Sequence, residues 1–332
     1  MKKPSYYLAS LLICIFISCS EENQIIDDEI LTSNLETSKS TTGRYVFHDG
    51  WETGCWRAFR HKKSTGGSCN IGSRWNNSQM QTNSAGKAVD FVGELANPAP
   101  TREGNYSMKF TWFRSSFRLD DPNNRSKAHL WTGLENKRNT TRWYGFSMYL
   151  PSGAGGMESD EEDELLVQWH GYPDTAAGEP YRIPTAAILH IKDRLVFNYF
   201  YDENEISQGT IKPGGKVELG KADLDQWIDF IIKIKWSPEG NGMLEIRRKD
   251  QVAGADWKVL VNETENVYIG YNDSSDPSVG IGIYKFDAAK RYEEGLPISD
   301  YYRRQVFFDS FRIGNELAKA QDVMPKGSLG EN

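Results

Sequence analysis

Nearly every strongly apolar segment of the chain alternates with a period of two, and this limits what it can fold into more than any other feature. In WIDFIIKIKW (227–236), Ile228, Phe230, Ile232, Ile234 and Trp236 fall on one side, while Asp229, Lys233 and Lys235 fall on the other. That is the pattern of a strand with one buried face. The same alternation marks 106–113, 142–150, 164–170, 186–192, 194–201, 279–286 and 305–313, and no segment shows a helical stripe of similar strength. Clusters such as PSGAGG, KPGGK, SPEGNG and NDSSDP punctuate these runs and predict turns. The expectation is all-β: a sandwich of two packed antiparallel sheets without a second domain.

The region before the first strand reads as an export and attachment device. Lys2 and Lys3 precede the apolar run LLICIFIS, which ends at Cys19. The run is too short for a span of roughly 20 residues, and Ile-Ser-Cys-Ser at its end resembles the bacterial lipoprotein box, with Cys19 acylated. The expectation is a signal peptide over 1–18, a polar tether over 19–43 and one folded domain over 44–326, lipid-anchored to the outer membrane or cell surface, or secreted. Cys14 leaves with the leader, so Cys55 and Cys69 form the expected disulfide of an exported protein.

Charge narrows the partners. The formal net charge of −7 becomes −9 when Lys2 and Lys3 leave with the leader, which contains no acid. This argues against nucleic acid as partner. An acidic glycan remains open, because cations gathered on one face can bind a polyanion whatever the total. The run Glu158–Glu164 reads as a solvated acidic loop. Aromatic residues make up 12% of the chain, enough to fill a sandwich interior and still line a sugar groove.

Two strands carry candidate chemistry. In ELLVQWH, parity puts Leu165, Val167 and Trp169 on one face and Glu164, Leu166, Gln168 and His170 on the other. Taken alone, a histidine such as His170 is more often a hydrogen-bonded structural residue than a catalytic one. In VGIGIYKF, Val279, Ile281 and Ile283 alternate with Gly280, Gly282 and Tyr284. Two glycines on the face that presents a phenol predict a close approach to the backbone, or else a bulge.

VQWHGYPD (167–174) and GIGIYKF (280–286) resemble the paired signatures of the heparin lyase I-like and glucuronan lyase-like polysaccharide lyases. The likeness continues, in order, through RWYGFSMYLPSG (142–153), QWIDFIIKIKWS (226–237), GMLEIRRKDQ (242–251) and VYIGYNDSS (267–275). It implies a concanavalin-like β-jelly-roll with a substrate groove, and β-elimination on a uronic-acid-containing polysaccharide. It carries the family's catalytic histidine onto His170 and its catalytic tyrosine onto Tyr284; their chemistry suits His170 as base and Tyr284 as acid, with the roles exchanged for the opposite C5 epimer. Gln168 and Arg125 are the candidates for neutralising the substrate carboxylate, with His129 and Lys285 as further groove residues. Heparin-cleaving members carry a lysine four residues before the tyrosine; here that position is Gly280. The expected substrate is therefore another uronate polymer, such as ulvan, glucuronan or alginate, with Lys285 or Arg291 for any sulfate.

No cofactor is expected for catalysis. A structural calcium is expected from related jelly-rolls, held by Asp49, Glu52 and Asp309, with the Asn272–Asp273 turn as an alternative. The protein is expected to be a monomer. Two rivals remain: a glycoside hydrolase, which needs two facing carboxylates, and a non-catalytic glycan-binding surface protein.

Overall fold

Two antiparallel sheets lie face to face in the computed structural model, which describes residues 45–49, 51, 75–80, 91–96, 100–116, 127–132 and 138–325. Cys19, Glu52, Cys55, Cys69 and Arg125 lie outside the described residues. The first sheet runs β2 (Trp75–Met80), β5 (Lys127–Thr132), β14 (Ser278–Tyr284), β7 (Glu164–His170), β8 (Ala186–Ile191) and β9 (Arg194–Asp202), with β10 (Lys212–Lys221) also paired to β9. The second runs β13 (Lys258–Tyr271), β12 (Ser237–Asp250), β11 (Trp227–Lys235), β6 (Thr141–Tyr149), β15 (Arg303–Gly314), β4 (Ser107–Phe113) and β3 (Phe91–Ala96), with β1 (Tyr45–Asp49) paired to β15. β13 joins the two, because its last residues Gly270 and Tyr271 pair in parallel with Tyr201 and Asp202 of β9. This is the two-sheet sandwich that the alternation predicts, in the jelly-roll form that the resemblance implies.

The inner faces share one apolar cluster. Leu130, Val167, Trp169, Phe197 and Ile281 from the first sheet meet Phe110, Phe146, Phe230, Ile232 and Phe308 from the second. All the predicted strands form, with bounds shifted by at most two residues. Two of the predicted turns do not. KPGGK lies within β10 and SPEGNG within β12. Both are carried through the ladder by shifts of register, between Pro213 and Gly215 and between Ser237 and Gly242. Gly214 and Gly215 lie against the Tyr199 ring where any β-carbon would collide, so there the glycines serve packing rather than chain reversal.

The acidic run is not a solvated loop. Asp160, Glu162 and Glu164 are all buried, and so is Lys285, expected on the sugar-facing side. Lys285 Nζ lies 2.6 Å from Asp160 and 3.0 Å from Glu164. Arg304 of β15 grips Glu164 with two nitrogens, at 2.7 and 2.8 Å. His190 Nδ1 stands 3.0 Å from the same carboxylate. Burial alone would raise the Glu164 pKa, but Lys285 and then Arg304 hold it well below the usual carboxylate range. Parity explains Lys285: it follows Ile281 and Ile283 on the core side of β14, opposite to Tyr284.

Glu162 behaves differently. It accepts the Asp287 amide at 3.0 Å, but its other oxygen makes no hydrogen bond among the described residues. Burial pushes its carboxyl up to about 8 from an ordinary 4.5, against the opposing pull of Lys285. A folded-state pKa above the unfolded one gives stability that is complete below the unfolded value and lost as pH rises through the folded value. Glu162 therefore takes stability away as pH rises from about 4.5 to about 8, and urea denaturation should show that fall, most cleanly just below pH 8. Glu162→Gln should flatten that fall. An unchanged slope in the variant would exclude Glu162 as its source.

Candidate active site

β5, β14 and β7 present a row of side chains on the face turned away from the core. Ala128 and Leu130 of β5, with Val279, Ile281 and Ile283 of β14, point inward, so Lys127, His129, Trp131, Gly280, Gly282 and Tyr284 point outward. On β7 simple parity fails. Two residues of β7 oppose one of β8 between Leu165 and Val167, a bulge that turns Leu166 into the core along with Val167 and Trp169. Glu164 consequently points to the core and Leu165 outward, where it packs with Ala187, Leu189 and Tyr284. Gln168 and His170 keep the outward face that parity predicts.

Register then decides which groups meet. Trp131, Gly280 and Gln168 stand side by side, as do His129 and Gly282, and Tyr284 faces Lys127 on one side and Leu165 on the other. Gln168 Nε2 lies 2.9 Å from His129 Nδ1. With the amide donating, the imidazole proton sits on Nε2, which is buried beside the Leu165 backbone. His129 is fully buried. Burial first, and the Lys127 charge second, lower its pKa to about 3, so the ring is neutral at physiological pH. Tyr284 stands edge-on to it, ring centroids 6.1 Å apart, and Lys127 Nζ lies 4.3 Å from the Tyr284 ring centre.

His170 is elsewhere. It opposes Ser278, six residues before Tyr284 on β14, a separation of about 20 Å at roughly 3.3 Å per residue. Two rings lie between them: Tyr284 to His129, His129 to Trp131 at 5.9 Å, and Trp131 to His170 at 6.3 Å. Both His170 nitrogens face backbone carbonyls, Nδ1 that of Gly171 and Nε2 that of Arg182 at 3.1 Å. Burial lowers its pKa to about 4, with the carbonyls opposing. The predicted His170–Tyr284 pair is thus not brought together, and the histidine beside Tyr284 is His129.

The glycines are explained by neighbours within the sheet. A β-carbon on Gly280 would stand 2.9 Å from the Trp131 ring. Gly282 has a φ of +140° and lies against the Ala128 carbonyl and the His129 ring. Lys127 and Trp131 went unassigned in the sequence, although KAHLWT alternates as clearly as any strand. Arg291 donates to the Pro297 carbonyl at 2.7 Å, away from this face.

The calcium expectation finds no support in Asp309. Its carboxylate accepts the amides of Arg102, Glu103 and Ser310 at 2.8, 3.1 and 2.6 Å. A carboxylate committed to N–H donors does not suit a cation. Burial raises its pKa to about 7 despite those bonds. The Asp49 side chain is not among the described features, and Asp273 is engaged by Arg182 at 2.7 and 2.9 Å. Among the described residues no group of three His, Cys, Asp or Glu could hold a metal.

Fold and site together give a jelly-roll that gathers a phenol, an imidazole and an ammonium on the outer face of one sheet. The sequence pattern of the family described as polysaccharide lyase matches residues 72–312, well over half of the chain, and the protein belongs to that family. Among solved structures it is similar to the endo-β-1,4-glucuronan lyase of the fungus Trichoderma reesei, with a TM-score of 0.56 and 17% identity, over 74% of this chain and 93% of the other. The alginate lyase of Aplysia kurodai gives a TM-score of 0.42 and 9% identity, over 68% and 88%. No curated protein matches the sequence.

Proposed function

We propose that the protein cleaves a uronic-acid-containing polysaccharide by β-elimination at Tyr284, with His129, Gln168 and Lys127 as its supporting groups. What carries this is the immediate surround of Tyr284: a partly exposed phenol, a neutral imidazole edge-on to it, and a lysine ammonium over the ring. In the reaction C5–H breaks, its electron pair forms the C4–C5 double bond, C4–O4 breaks, and the leaving O4 gains a proton. Tyr284, reacting as its phenolate beside the Lys127 ammonium, is the group proposed to take the C5 proton and, as the phenol so formed, to pass it to the departing O4. The Lys127 charge is the proposed counterweight to the negative charge that develops on the carboxylate, with the buried His129 ring, held by Gln168, packed edge-on against the phenol. The glucuronan and alginate lyases among the structural relatives act on uronate polymers, as their names say, which supports the substrate class.

Hydrolysis is disfavoured by the same face. Among the described residues of β5, β14 and β7, no carboxylate points outward, whereas a hydrolase needs two. Glu164 is the only acid on these strands, and it is locked to Arg304 and Lys285. The same proposal places the enzyme outside the cytoplasm, tethered through Cys19 as one domain, as its leader supports. Incubation with glucuronan, alginate and ulvan should generate the ultraviolet absorbance of an unsaturated uronyl end. Reducing ends without that absorbance would indicate a hydrolase, and binding without either would indicate a glycan-binding protein.

A further inference from the structure

We propose that Tyr172 and Tyr181 form a second, remote subsite that stacks a pyranose ring of the same uronate chain, several sugars from the bond that is cut. The inference rests on the polysaccharide reading above and adds to it a site at the opposite end of the sheet face. Both side chains are on the segment between β7 and β8, and they are 55% and 66% exposed. The Tyr181 ring leans on His170 at 5.5 Å and 45°.

Exposed aromatic rings are ordinary on mobile loops, but here the backbone beneath them is pinned. Arg182 is buried and donates to Glu179 at 2.8 Å, to both oxygens of Asp273 and to the Tyr172 carbonyl at 2.9 Å. Its guanidinium also lies 4.8 Å from the Tyr271 ring centre. Glu179 accepts the amides of Asp174 and Ser207 at 2.7 and 2.8 Å. His170 closes the device by facing the Gly171 carbonyl with one nitrogen and the Arg182 carbonyl with the other. Two apolar surfaces are thus held open to solvent on a rigid base, so a ligand that covers them loses little conformational entropy in doing so.

The occupant follows from place and charge. The platform continues the outward face of β7 beyond His170, about 20 Å from Tyr284 by strand rise, a span of several linked sugars. Arg182, the cation beneath it, is already neutralised by Asp273 and Glu179. That leaves rings rather than a free charge, suited to the C–H face of a pyranose and not to its carboxylate. His170 is accordingly a positioning residue for this subsite.

The test compares a long uronate polymer with a trisaccharide too short to reach from Tyr284 to Tyr181. Tyr181→Ala should raise KM for the polymer about tenfold, and that loss should exceed the loss on the trisaccharide at least about fivefold. Tyr181→Phe should stay within about twofold of the parent, because stacking needs the ring and not the hydroxyl. Equal losses on both substrates, or Phe as damaging as Ala, would overturn the subsite. If the parent eliminates no polymer at all, the proposed reaction fails by itself. The subsite is then decided by retention of the Tyr284→Phe protein in a polymer-containing gel: weaker retention on adding Tyr181→Ala upholds it, and equal retention rejects it.

Discussion

Tyr284→Phe should lower turnover on a uronate polymer by at least about 10²-fold while leaving KM nearly as it was. The phenyl ring keeps its packing on Leu165, Ala187 and Leu189 and stays beneath Lys127, so the variant loses only the hydroxyl that is proposed to carry the proton. His129→Ala should also fall mainly in turnover, because it removes the neutral imidazole that Gln168 orients. His170→Ala should act differently, raising KM for long chains more than it lowers turnover, since both of its nitrogens serve the backbone of the segment that carries Tyr172 and Tyr181. Steady-state kinetics on the three variants reads this ranking directly. If His170→Ala lost turnover like Tyr284→Phe and His129→Ala did not, the chemical role would return to His170.

Lys285→Met should be the most destabilising single change outside the apolar core, by about 3–5 kcal/mol. The lysine is buried with Asp160 and Glu164, and its removal leaves Arg304 alone to balance two carboxylates away from water. For a domain of this size that corresponds to a drop of about 10 °C in Tm. The loss should shrink as pH falls toward the ordinary carboxylate range, because protonating the orphaned acids removes the uncompensated charge. A variant as stable as the parent would mean that the pair is dispensable. Lys285 follows Tyr284 in the chain, so the same ion pairs hold the end of β14 that presents the phenol.

Local rules carried most of the architecture. Alternation in segments such as 227–236 and 279–286 marked the strands because one face of each sheet is buried by apolar side chains, which leaves a direct trace in the residue order. What escaped depended on partners far away in sequence. Nothing within Glu158–Glu164 announces that Arg304 across the sandwich and Lys285 at the end of the neighbouring β14 will neutralise it, more than 100 residues on. The bulge at Leu166 was hidden for the same reason, since a bulge is a property of two paired strands and ELLVQWH shows only one. The active face was half legible. Gln168, Tyr284 and His129 were all singled out, but the choice between His170 and His129 needed the register of β5 against β14, which no pattern within either strand contains.

Gly280 has a consequence for how substrate preference in this lineage can change. The space that a side chain at 280 would occupy is taken by the indole of Trp131 on the neighbouring strand. A lysine introduced at 280 alone, as the heparin-cleaving pattern has it, collides with that ring before it can reach a sulfate. The two positions are therefore coupled: a step toward sulfated polymers at 280 requires the Trp131 indole to shift or to give way to something smaller.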